Sequence, residues 1–258
     1  MSPKLGGSRL KMPEKLTPEE LERYNRQILI DGFGERAQLR LKRAHVIIAG
    51  LGGLGCPASI YLAAAGVGHL TLLDNQEVEL SNLNRQILHW RSDVGKPKAM
   101  SALEKLQAIN PNVKIDGKVE AISPENINGL LRKADVVVDG MDNYPTRYLI
   151  NEACVRNRIP FVHGAVEGLV GQLATILPGR GPCLRCIVPK EPPARPFFPV
   201  LGVTPGTIGC LQAAEAIKII TGMGKPLAGK MLLFNGEDMT FDIMEIRRDP
   251  NCPVCKGV

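Results

Sequence analysis

Three sets of residues in this 258-residue chain have the types and spacing to do chemistry. In the stretch VIIAGLGGLGCPASIYLAAAGVGHLTLLD, at 46–74, an apolar run leads into Gly50, Gly52, Gly53 and Gly55. A helical segment follows, and a second apolar run ends in Asp74. Glycines so spaced allow a tight turn whose N–H groups approach a phosphate at a helix N-terminus, and a carboxylate placed like Asp74 accepts from ribose hydroxyls. The cradle predicts an adenine nucleotide without saying which one.

Just beyond it, NQEVELSNLNRQILHWRSDVGKPKA brings Asn82, Asn84, Arg85, Gln86 and Lys98 into seventeen residues. Each cation alone reads as a solvated surface charge. Clustered behind a phosphate loop, they favour a triphosphate over NAD. An Arg and a Lys neutralise the charge developing on a leaving pyrophosphate, a need that hydride transfer does not have. Asp142 follows the apolar run ADVVVDG, at the strand end where open α/β sheets bind ligands, and suits Mg2+ held against phosphates. Asp139, three residues earlier, is the weaker candidate and is expected to cap or contact backbone.

The third set is Cys183-Leu-Arg-Cys186 and Cys252-Pro-Val-Cys255, two pairs separated by 65 residues. Four thiolates so paired predict tetrahedral Zn2+ with sulfurs at about 2.3 Å. A closed four-thiolate site has no open position, so the zinc is expected to be structural and to staple the end of the chain to the core.

The elements that must position these residues follow from period and punctuation. Thr17-Pro18-Glu19-Glu20 has the form of a capping box, starting a helix predicted to run to about residue 30 and to carry Arg26. A second helix is predicted near 35–42, and an amphipathic one at 97–109 with Met100, Leu103, Leu106 and Ile109 in one stripe. Strands are predicted at 114–120, through VVVDG and at PFVHGAV, with helices near 124–131 and 147–156. GLVGQLATILP alternates like an antiparallel strand, 190–205 reads as a proline-rich loop, and GTIGCLQAAEAIKIITG as a helix stopped by Gly222. KMLLFNGEDMTFDIMEI reads as two strands around an Asn-Gly turn. The sum is a Rossmann-like, doubly wound α/β fold: a mainly parallel sheet with an antiparallel C-terminal extension and a structural zinc site. A flexible basic tail at 1–16 is expected before a single ATP-binding domain at 17–258.

Composition narrows the partners. Hydrophobic residues make up 44% of the chain, and no membrane span is expected. The basic start has no apolar stretch of the signal-peptide kind, so a cytoplasmic protein without structural disulfides is expected. The net charge is +6, but aromatics are only 4% and the cations are scattered, which argues against a nucleic-acid surface. Anionic ligands or acidic protein partners use such a charge better.

Taken together, these stretches resemble the MoeB/ThiF/HesA family, relatives of ubiquitin-activating enzymes. RYNRQILIDGFGERAQLRL, GLGGLG, LLDNQEVELSNLNRQILH, DVGKPKA, DGMDNYPTRYLIN, GQLATILPGRGPCLRC, GCLQAAEAIKIITG and the closing C-P-V-C carry the likeness, in family order over roughly residues 20 to 256. The resemblance implies ATP-dependent adenylation of the C-terminal glycine carboxylate of a small ubiquitin-like sulfur carrier ending in Gly-Gly. It also implies a homodimer in which Arg26 reaches the nucleotide of the neighbouring subunit. Asp74 would then take the ribose, Asn82, Arg85, Gln86 and Lys98 the phosphates, and Asp142 the Mg2+. One departure stands out. Family members often carry a cysteine in the loop after the first zinc pair, and residues 187–207 contain none. Cys56, Cys154 and Cys210 are expected in the core, so chemistry is expected to stop at the acyl-adenylate. Adenylation of another carboxylate, in a peptide or a cofactor precursor, is the alternative. A scaffold without ATP and a dehydrogenase rank below it.

Overall fold

The computed structural model describes residues 15–193 and 198–258. The expected flexible tail lies largely outside them; at its end Leu16 is buried. Thr17 closes the expected capping box, its hydroxyl accepting from the Glu20 N–H and the Glu20 carboxylate from the Thr17 N–H, and opens α1 (Pro18–Arg23). The helix then breaks instead of continuing to residue 30. Tyr24 turns inward, 3% exposed, and its hydroxyl accepts from Asn110 Nδ2 at 2.8 Å. A separate turn, α2 (Asn25–Ile28), carries Arg26.

After α3 (Gly34–Arg43) the apolar run becomes β1 (His45–Ala49), followed by α4 (Gly55–Ala64), β2 (His69–Leu73), α5 (Lys98–Ile109) and β3 (Lys114–Lys118). Next come α6 (Ile127–Leu130), β4 (Val136–Asp139), α7 (Tyr144–Asn157), β5 (Phe161–Glu167) and β6 (Val170–Ile176). The chain closes through α8 (Leu184–Ile187), α9 (Val203–Thr221), β7 (Lys230–Asn235) and β8 (Thr240–Glu245). One sheet holds all eight strands in the order β3-β2-β1-β4-β5-β6-β7-β8. The pairs from β3 to β5 are parallel, and β6, β7 and β8 add on antiparallel, as the alternation in the sequence predicts. The strand order reverses between β1 and β4, and that switch point is where such sheets bind ligands.

Two apolar layers hold the sheet. On one face Ile48, Leu70, Leu72 and Val138 meet residues of α3, α4, α5 and α9; on the other Ile47, Val137 and Phe161 meet α6, α7 and the cysteine cluster. The stripe expected for α5 holds at Leu106, which is buried, and at Leu103 and Ile109, which pack against the core, but fails at Met100. Met100 is 37% exposed, whereas Lys98, Ser101 and Lys105 are buried with Ala99, Ala102 and Leu106. This helix therefore turns a polar side inward, toward the end of the sheet that carries the glycine loop. Helix α9 starts earlier than expected, so Pro205 lies in its first turn, and it ends at Gly222 with φ +75°. The turn between β7 and β8 is also wider than a two-residue Asn-Gly hairpin. Asn235 accepts from the Glu237 N–H, and Met239, at φ +55°, takes the left-handed position.

Candidate nucleotide site and cysteine cluster

Two main-chain crossings shape the glycine loop. Gly50 has φ +91°, and a Cβ there would lie 2.6 Å from the Gly140 carbonyl oxygen, so the ends of β1 and β4 approach as only glycine permits. A Cβ on Gly55 would stand 1.9 Å from the Gly50 oxygen, so the turn into α4 is closed to any side chain. Gly52 differs, because a Cβ there meets nothing nearer than Gln86 Nε2 at 3.7 Å. It is the open side of the loop. Pro205, at the start of α9, packs on Gly53. Helix α4 begins without a side-chain cap, leaving its N-terminal amides to a ligand or water.

Side chains from the next strand and turn close around this edge. Asp74, at the end of β2, accepts from the Leu51 N–H and the Gln76 N–H, both at 2.8 Å. Lys98 is 4% exposed, and its ammonium donates to Gln76 Oε1 at 2.7 Å. Asn82 is buried and accepts from the Glu79 N–H. Gln86 is buried, and its Oε1 has no hydrogen-bond partner among the described residues. Arg85 is half-buried, its guanidinium donating to the Ser81 carbonyl and to Asn84 Oδ1, and Gly202 packs against the same backbone. Asp74 thus bonds the glycine loop directly, Gln86 stands against Gly52, and Lys98 joins Asp74 through Gln76.

The two carboxylates past β4 separate cleanly. Asp139 is fully buried and accepts from the Met141 N–H at 2.9 Å. Its other oxygen lies 2.6 Å from His163 Nδ1 and 3.2 Å from Arg147 Nε. This is a buried network, and the Met141 contact is the backbone role expected for Asp139. Asp142 is exposed, with only Asn143 Nδ2 at 3.3 Å as an intrachain partner among the described residues. Its oxygens are free to take a divalent cation. Arg26 is not brought to the loop of its own chain. The neighbouring Gln27 donates to the carbonyl of Ala65, at the far end of α4 from the glycines, and ten residues of helix span about 15 Å.

The four cysteines meet. All their sulfurs lie within 4.8 Å of one another, with Cys183–Cys252 at 3.7 Å and Cys186–Cys255 at 3.5 Å. Tetrahedral zinc with Zn–S near 2.3 Å requires sulfurs about 3.8 Å apart, so the donor set fits the ion. The other three cysteines sort by burial. Cys56 is fully buried and its thiol is pushed up to about 12; Cys154 is buried and pushed up as well. Cys210 departs from the expected core position, being only half-buried on α9.

Sequence reasoning passed over His89 and Gln76. His89 is 3% exposed and bonds the Leu51 carbonyl within the glycine loop. Its place one turn after the Asn82–Gln86 cluster is the signal that was there to read. Gln76, two residues past Asp74, carried none.

Residues 24–254 match the ThiF family. A sulfur carrier protein adenylyltransferase from Thermus thermophilus is 46% identical over 249 residues, covering 93% of this chain and 92% of the relative. The SAMP-activating enzyme E1 of Haloferax volcanii is 44% identical over 249 residues, covering 95% and 92%. Among solved structures, Escherichia coli MccB determined with ATP superposes with a TM-score of 0.75 at 26% identity, over 85% of this chain and 69% of that one. With the family match spanning the whole sheet and three of the four clustered cysteines, the chain belongs to the ThiF family.

Proposed function

We propose that this protein adenylates the C-terminal glycine carboxylate of a small ubiquitin-like sulfur carrier with ATP·Mg, releasing pyrophosphate. The observation that carries the reading is the buried Gln86, set against the open side of Gly52 with its Oε1 unpartnered among the described residues, and Arg85 against Gly53. The sulfur-carrier relative from Thermus and the ATP-bound MccB structure support it. In the reaction a carboxylate oxygen attacks the α-phosphorus, and the bond to the bridging oxygen of pyrophosphate breaks. A carboxylate is ionised at neutral pH, so no protein base or nucleophile is needed. The protein's part is positioning and charge. The glycine loop orients the phosphates, Asp74 holds the ribose, and Lys98 and Arg85 stabilise charge on the departing oxygens. Asp142 would hold Mg2+, which supplies further charge neutralisation when bound. The four cysteines would hold zinc as a staple between the loop after β6 and the C-terminal segment, outside the chemistry.

The active form in this reading is a cytoplasmic homodimer. Leu29 and Ile30 beside Arg26 are 70% and 50% exposed, and Leu80, Ile87 and Trp90 beside the nucleotide edge are each 60% exposed. A two-fold contact pairing these patches covers both and carries Arg26 to the partner's site. The test is ATP–pyrophosphate exchange by the zinc-replete protein with candidate carriers. Exchange is expected only with carriers ending in Gly-Gly. Equal exchange with a carrier lacking the terminal glycine, or with a free small carboxylic acid, would exclude the reading.

A further inference from the structure

Leu51, between the first two glycines of the loop, has both of its backbone groups held by side chains. Its N–H donates to Asp74, and its carbonyl lies 3.0 Å from His89 Nε2 and 3.2 Å from Cys56 Sγ. A carbonyl only accepts, so the proton of His89 sits on Nε2. Nδ1, 2.9 Å from Ser101 Oγ, therefore accepts the serine hydroxyl. Ser101 in turn accepts from Lys105 Nζ at 3.0 Å, and Lys105 pairs with Asp93, whose carboxylate also accepts from the Trp90 N–H at 2.7 Å. His89, Ser101, Lys105 and Asp93 are all buried. In the neutral ring the chain of donors runs in one direction and fixes one tautomer.

We propose that His89 is a positioning residue of the nucleotide site, a neutral imidazole that clamps the Leu51 peptide and so aims the open Gly52 side of the loop at the phosphates. The proposal rests on the ATP reading above for its ligand, though not for the clamp. A second proton on His89 would sit on Nδ1 and turn the Ser101 hydroxyl toward Asp93, leaving Nε2–H on the Leu51 carbonyl. The groups that face the ring are Lys98, Ser101 and Lys105 from α5, Leu51 and Cys56 from the loop and α4, Asp74 from β2, and Asp93 from its own turn. Burial, reinforced by the two lysines and opposed by the Leu51 carbonyl and Asp74, holds His89 below the ordinary imidazole range.

The experiment compares zinc-replete full-length protein with His89→Phe, His89→Gln and Ser101→Ala. ATP·Mg binding is measured by calorimetry at pH 7.5, and amide exchange of residues 50–53 is measured without nucleotide. His89→Phe should bind ATP·Mg about tenfold more weakly, as loss of a buried hydrogen bond entails. His89→Gln, whose amide N–H can still donate to the Leu51 carbonyl, should recover most of that loss. Ser101→Ala, which frees Nδ1 but leaves Nε2–H in place, should give a smaller penalty, and it decides the matter if His89→Phe does not fold. Unchanged affinity in His89→Phe, or His89→Gln as weak as His89→Phe, overturns the proposal. Wild-type protein that binds no ATP·Mg overturns the nucleotide reading instead. Faster loop exchange in His89→Phe would then still support the clamp, and unchanged exchange would overturn it.

Discussion

Lys98 shows how much a single side chain does in this site. It is buried, held by Gln76, and set at the start of α5 beside the loop. Removing it or Asp142 takes away one charge-stabilising group from a reaction run by charge placement. Lys98→Ala and Asp142→Ala should each lower pyrophosphate exchange by about 10²–10³, with melting temperatures near wild type for the exposed Asp142. Losses under tenfold would show that neither side chain meets the transition state. The thiols should matter far less. Cys56 and Cys154 are buried with raised thiols, and the 187–193 and 198–207 segments hold no cysteine. Replacing Cys56, Cys154 and Cys210 together by Ala should leave exchange within a few-fold of wild type. A carrier–enzyme adduct that survives denaturation and is released by reductant would contradict this, and the half-buried Cys210 would be its first suspect.

At the scale of elements, the glycine loop was legible in the sequence because main-chain sterics leave no other residue at Gly50 or Gly55. The cation cluster was legible because its members are close in sequence as well as in space. What periodicity missed in α5 was the polar part of its inner face, Lys98, Ser101 and Lys105, while it placed the exposed Met100 inside. A helix lining a site buries polar groups with partners, which no hydrophobic period records. The break at Tyr24 was hidden for a related reason, since its partner Asn110 lies 86 residues away. The strand starts carry another pairing invisible in one dimension. His45 of β1 and His69 of β2 stack with ring centroids 3.9 Å apart, and His69 bonds Asp116 of β3 at 2.7 Å. Burial, and then the neighbouring His69, keep His45 below its ordinary range. A histidine whose pKa is lower in the fold than unfolded gives its full stability above the unfolded value, about 6.5, and loses it as pH falls through that value. Urea unfolding should therefore show wild type losing more stability than His45→Asn between pH 7.5 and 5.5. Parallel losses would mean that burial does not hold His45 below its ordinary range.

At the scale of the molecule, the cysteine cluster and the dimer each close something that the sheet leaves open. The cluster ties the short α8 to the last residues of the chain across 65 intervening positions. Binding a structural ion is folding free energy, so Cys252→Ser should destabilise the fold by several kcal/mol (order of magnitude). Freshly purified wild type should contain about one zinc per chain, and elemental analysis finding under half would count against the site. The dimer makes the sharper test. Arg26 lies about 15 Å of helix away from its own glycine loop, on an exposed turn flanked by Leu29 and Ile30. If it serves the partner's nucleotide, Arg26→Ala and Asp142→Ala each inactivate their own homodimers, yet damage opposite sites when mixed. In a mixed dimer one site then keeps both residues and the other loses both. Random exchange of subunits makes half the dimers mixed, each with one of its two sites intact, so activity should return to about a quarter of wild type. If Arg26 acted within its own chain, every site in the mixture would lack one residue or the other, and mixing would restore nothing.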